Sequence, residues 1–220
     1  MLQILNRAFV VILLLALLSN SCLAFESPLS DKTIREAYFL GQHHDASTAA
    51  ALRPYIHNLP VPPKGPYISE IGLLTPYAQV IDVSNSQSAG YSAQQAAADY
   101  HARTDTILVR VRIEFTPTYG YIESSGERAG GPRKGISLRP QDFWQAFRIG
   151  LSQNDQWIEP LSTDGEATYA PNAESGSVMT GALIWVFFDA RDLDSAPATA
   201  EVFTPDGQHI SSKFDLASLR

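Results

Sequence analysis

Ile107-Leu108-Val109-Arg110-Val111-Arg112-Ile113-Glu114-Phe115 decides how this chain folds. Successive side chains of an extended backbone point to opposite faces, so Ile107, Val109, Val111, Ile113 and Phe115 share one side while Arg110, Arg112 and Glu114 share the other. A helix would scatter the same apolar residues around its circumference. The stretch therefore reads as a strand with one face on a core and one in water, a pattern suited to antiparallel sheets.

Toward the C-terminus the theme repeats. Phe143, Gln145, Phe147, Ile149 and Leu151 alternate with Trp144, Ala146 and Arg148, which predicts a strand over 143–151. Residues 178–188 are apolar on both faces, as in a central strand covered twice. Thr204-Pro205-Asp206-Gly207-Gln208 separates Glu201-Val202-Phe203 from residues 210–216 and reads as the turn of a closing hairpin. There proline pre-sets its own dihedral and glycine accepts a positive one. Toward the N-terminus, residues 67–83 hold Ile68, Ile71, Leu73, Leu74, Val80, Ile81 and Val83 with Pro76 between them, and read as two short strands or one bent edge strand. Ser92-Ala93-Gln94-Gln95 then matches a capping box, and Ala93, Ala96, Ala97 and Tyr100 line one side of a slim helix.

Strands at turn-punctuated intervals, joined mostly without helices long enough for crossovers, favour antiparallel layers. The expected fold is mainly β: an immunoglobulin-like antiparallel β-sandwich over residues 67–220, preceded by a short helical hairpin and with one helix inserted between early strands. The hairpin belongs to an N-terminal helical segment, 25–59. Ser30 and Asp45 stand as caps for helices over about 31–41 and 46–52. Residues 60–66, Pro-Val-Pro-Pro-Lys-Gly-Pro, form a proline-rich connector that continues neither regular element.

Residues 1–24 read as an export signal. Arg7 precedes an apolar run from Ala8 to Leu18, which gives way to Ser19-Asn20-Ser21-Cys22-Leu23-Ala24. That run falls short of the roughly 20 apolar residues a membrane-spanning helix needs. Two processing routes meet here: ordinary cleavage after Ala24, or lipidation at Cys22, whose preceding residues resemble a lipobox imperfectly because Ser19 stands where leucine is preferred. An uncleaved anchor is the third outcome. Cys22 is the single cysteine, so the exported domain has no intramolecular disulfide and rests on its core.

Lys+Arg 16 against Asp+Glu 23 gives the 220-residue chain a net charge of -7. An acidic protein gains nothing from counterion release at phosphates, which argues against nucleic acid as a partner. Membrane contact is expected only through a lipid anchor or an uncleaved signal.

Four groupings invite a chemical reading. Asp189, Asp192 and Asp194 leave the end of the most apolar strand and can be read as part of a calcium shell, completed by carbonyls and water, or as a solvated turn next to Arg191. His43-His44-Asp45, with His57 and His101 elsewhere, raises a transition-metal reading, but adjacent histidines diverge and the chain has no cysteine pair or His-Glu-x-x-His. The basic, glycine-rich segment 126–135 could cradle an anion, yet lacks the Gly-Lys-Ser/Thr ending of a phosphate loop. Tyr119 and Tyr121 sit near this glycine-rich segment, while Trp157 and Tyr169 lie in polar, turn-rich surroundings, and flat rings at a sandwich rim or face serve as contact surfaces for sugars or proteins. No Gly-x-Ser-x-Gly elbow occurs.

These observations favour an exported, non-enzymatic binding or structural module of a bacterial cell envelope, with an envelope protein or a glycan as partner. A carbohydrate-binding accessory domain using Tyr119, Tyr121 and Trp157 is one alternative. A secreted hydrolase whose site forms only in three dimensions is another.

Overall fold

The structure is a computed structural model that describes residues 25–87, 90–116, 123–125, 135–137, 140–172 and 176–220. Cys22 and the rest of residues 1–24, Tyr119, Tyr121 and residues 126–134 lie outside the described residues. Among those described, the chain is mainly β, with two antiparallel sheets and four helices.

Side-chain caps set the helix starts. α1 (Asp31–Gln42) begins where Ser30 Oγ accepts a hydrogen bond from the Thr33 amide, and α2 (Ala46–Leu52) where the Asp45 carboxylate accepts from the Ser47 amide at 2.7 Å. The chain then turns through Arg53–Tyr55 into β1 (Ile56–Asn58). β1 pairs antiparallel with β2 (Pro66–Leu74), Ile56 opposite Gly72. Segment 25–59 thus ends in a strand, and the proline connector joins two strands of one sheet.

Val80, Ile81 and Val83, expected in a short strand, belong instead to α3 (Pro76–Ser86). Thr75 Oγ1 accepts from the Ala78 amide, and Pro76 occupies the first turn, where a missing N–H costs nothing. The proline that seemed to interrupt a strand starts a helix. α4 (Ala93–His101) follows, with Ser92 Oγ accepting from the Gln95 amide at 3.2 Å.

The deciding stretch forms β3 (Thr106–Phe115), flanked by β2 and by β9 (Gly176–Asp189). Adding β8 (Ser162–Asn172) gives a five-stranded sheet in the order β1-β2-β3-β9-β8. Among the described residues, β4 (Glu123–Ser125) and β5 (Gly135–Ser137) pair only with each other. The second large sheet runs β11-β10-β6-β7 and comprises β6 (Arg148–Gln153), β7 (Gln156–Ile158), β10 (Pro197–Phe203) and β11 (His209–Asp215). β10 and β11 are the expected hairpin, with Gly207 at φ +85 in its turn. The strand expected over 143–151 is shorter: Phe143–Ala146 is a 3-10 helix, held by Gln145 N to Asp142 O and Phe147 N to Trp144 O.

Ile107, Val109, Val111 and Ile113 are fully buried, as their alternation requires, beside Ile71, Leu73, Ile184, Val186 and Phe188. Ile149, Leu151, Ala198, Ala200, Val202 and Phe214 of the second sheet join the same core. Between the sheets, the His57 ring stacks on Phe214 at 4.3 Å, and its Nδ1 lies 2.5 Å from Ser212 Oγ. The opposite face of β3 is not wholly in water. Arg110 reaches Asp82 of α3 at 3.2 Å and Glu70 of β2 at 3.3 Å, tying a helix to the sheet. On β9, Ala182, Ile184, Val186 and Phe188 are buried, whereas Leu183, Trp185 and Phe187 on its other face are only half-buried.

Candidate functional site

In the β11-β10-β6-β7 sheet, Ile149, Leu151, Ala200 and Val202 point to the core, so their neighbours Arg148, Gly150, Ser152, Glu201 and Phe203 point outward. Register places Phe203 between Arg148 and His209, and Glu201 between Gly150 and Ser211. Trp157 pairs with Ser152 across β6 and β7. Four strands thereby gather three rings and one guanidinium on a single face.

The contacts form a stack. His209 and Phe203 lie parallel with centroids 4.5 Å apart, and the Trp157 and Phe203 centroids are 6.2 Å apart. The guanidinium of Arg148 is 4.7 Å from the Phe203 centroid and 5.2 Å from that of Trp157, a range in which ring quadrupoles attract cations. Gly150 makes room: a Cβ there would stand 1.8 Å from the Trp157 ring. Trp157 remains 37% exposed. Glu201 is occupied, accepting from Ser152 Oγ at 2.5 Å and lying 3.0 Å from His209 Nε2. Arg148 has no carboxylate partner among the described residues. Such a face offers flat apolar area, one aimed cation and nearby hydrogen-bonding groups.

At one end of the sheets lies a groove of about 820 Å³. Pro60, Pro62 and Tyr67 line one side, Phe143 and Phe147 another, and the 204–208 turn closes it. The Thr204 hydroxyl and Gln208 amide hold the Asp206 carboxyl below its ordinary pKa there. The groove adjoins the ring stack in sequence, since Phe147 precedes Arg148 and Thr204 follows Phe203.

Of the residues singled out in the sequence, Trp157 is exposed on the stack, while Tyr119 and Tyr121 lie outside the described residues. Asp192 and Asp194 line one hollow together with Arg191, and Asp189 pairs with the same arginine. Asp189 accepts from Arg191 Nε at 2.9 Å and Nη2 at 2.6 Å, and these bonds pull its pKa down to about 2. Asp194 Oδ1 caps the Ala196 amide at 2.7 Å. Among the described residues no group of three or more His, Cys, Asp or Glu side chains is arranged to hold a metal ion. The histidines are dispersed likewise: His43 contacts Ser47, His57 contacts Ser212, and His101 contacts Asp31. The His57–Ser212 contact has the residue types of a hydrolytic pair, but its serine is buried and its imidazole is packed flat on Phe214, so it fastens the two sheets.

Arg148, Gly150, Phe203 and His209 carry no sequence signal of their own. Their only trace is the alternation around them, which marks them as outward-facing once the strands are drawn. No model of a protein family matches the chain, and no curated protein matches it.

Proposed function

We propose that the chain is an exported, non-enzymatic binding module of the bacterial cell envelope, built on an immunoglobulin-like β-sandwich that makes contact through the outer face of its four-stranded sheet. Strand order supports the fold. Read along the chain, β2-β3-β9-β8 correspond to the A-B-E-D sheet of such a domain and β11-β10-β6-β7 to its G-F-C-C′ sheet. β1 then extends the first sheet, and α3 and α4 fill the A–B connection. Residues 1–24 support export, by plain cleavage or with a lipid on Cys22. The mass of the mature N-terminus separates the two routes.

The observation that carries the contact surface is Trp157, seated over Gly150 beside Arg148 and Phe203 with more than a third of its surface in water. Large rigid rings supply contact area with few rotamers to freeze, so they favour association. Co-sedimentation of the purified mature protein with insoluble bacterial envelope material tests this. Wild type pellets and Trp157→Ala stays in the supernatant; equal pelleting of both, or of neither, contradicts the proposal.

A further inference from the structure

We infer that the ligand of this face is an acidic glycan, a saccharide chain bearing carboxylates, held by Arg148 and stacked along Trp157 and Phe203. The inference rests on the binding-module reading above and specifies its ligand.

Charge comes first. The chain is acidic overall, yet its outer sheet face presents two exposed cations, Arg148 and Lys213, and neither has a carboxylate partner among the described residues. The carboxylates of that face are engaged: Glu201 by Ser152 and His209, and Asp215, at the far end, by the Ala217 amide. At physiological salt, exposed charges more than about 8 Å apart are largely screened, so a ligand carboxylate at Arg148 meets that cation and its immediate neighbours rather than the overall acidity of the chain.

Geometry comes second. An exposed arginine normally loses rotamer freedom when it binds, but Arg148 is already held against two rings. Its planar fork suits a carboxylate, which it meets with two parallel hydrogen bonds. The rings beside it suit a ligand that also has a flat apolar face. A uronic acid supplies both, with its carboxylate toward Arg148 and the C–H face of its pyranose ring on Trp157, and its hydroxyls can reach His209 and Ser152. A polyphosphate has no apolar face to stack, and an acidic peptide side chain has a carboxylate but no flat ring behind it.

Calorimetric titration of the mature protein with an oligogalacturonate hexamer, and with a neutral oligogalactose of the same length, tests the inference. The acidic oligomer binds wild type about tenfold or more tightly than the neutral one, since a charge-assisted hydrogen bond discriminates by about that much. This preference shrinks with added salt. Arg148→Ala abolishes it, Arg148→Lys keeps part of it, and Trp157→Ala weakens both ligands, while circular dichroism shows all variants folded. Equal affinity for the two oligomers, an unaltered preference in Arg148→Ala, or no binding of the acidic oligomer overturns the inference. Should either of the first and last results accompany envelope sedimentation that still depends on Trp157, the binding-module reading survives and only the ligand assignment falls. Sedimentation indifferent to Trp157 removes both.

Discussion

Gly150 and Trp157 occupy one space: a Cβ on Gly150 would stand 1.8 Å from Cη2 of the tryptophan. The ring belongs to β7 at the edge of its sheet, so it can swing away. Gly150→Ala therefore lowers stability by about 1 kcal/mol, the middle of the range for single substitutions, yet removes the seated ring from the stack. Near-UV circular dichroism registers the displaced indole, and envelope binding falls as it does in Trp157→Ala. A stable variant with unchanged near-UV signal contradicts the stack.

Arg110 links helix layer to sheet. Its side chain is 14% exposed between Glu70 and Asp82, and its Nε is buried without a hydrogen-bond partner among the described residues. Removing the cation strips the largely buried Glu70 of its nearer partner and leaves it the Arg112 guanidinium at 3.9 Å, while Asp82 is a third exposed. Arg110→Ala is expected to cost about 2 kcal/mol, whereas Arg110→Met combined with Glu70→Gln and Asp82→Asn costs clearly less, because no largely buried carboxylate is left without its nearer partner and Arg112, which also loses Glu70, is exposed to water. Urea unfolding of the two proteins measures the difference.

Asp189 makes stability depend on acid. Its carboxyl is held at about 2, below the ordinary 3.8, by the Arg191 side chain. As pH falls, the unfolded chain takes up this proton before the folded chain does. The stabilisation is complete above about pH 4 and lost as pH drops toward 2. The urea midpoint of wild type should therefore fall toward that of Arg191→Ala across this window, after standing above it at neutral pH. Midpoints that stay a constant distance apart from pH 5 to 2 contradict the pairing.

Gln153 organises the loop after β9. Its Nε2 donates to the carbonyls of Asp194 and Ala196, and its Oε1 accepts from the Asp194 amide. Gln153→Met fills similar volume but removes the partner of these part-buried groups, at a cost of about 1 kcal/mol. Amide exchange at Asp194 should accelerate in the variant, and an unchanged rate would show that the loop holds without the glutamine.

Much of the scaffold was legible because its residues act locally. Strict alternation over Ile107–Phe115 fixes β3, and Ser30, Asp45 and Ser92 mark helix starts through bonds made within three residues. α3 was missed because Thr75-Pro76 serves equally as a strand break and as a helix start, and the choice falls to the packing of Ile81 and Ser84 against Gly41 and Gln42 of α1. The candidate face was legible only in Trp157. Arg148, Phe203 and His209 meet through the register of three strands, and a slip of one residue would turn each of them into the core.

Hydrogen–deuterium exchange of the mature protein, with and without envelope material, tests the location of the contact most directly. Protection confined to 148–158 and 199–213, the strands that carry Arg148, Trp157, Phe203 and Lys213, is the predicted result. Protection of 59–68 and 143–147 around the proline-lined groove, with those strands unchanged, would contradict it.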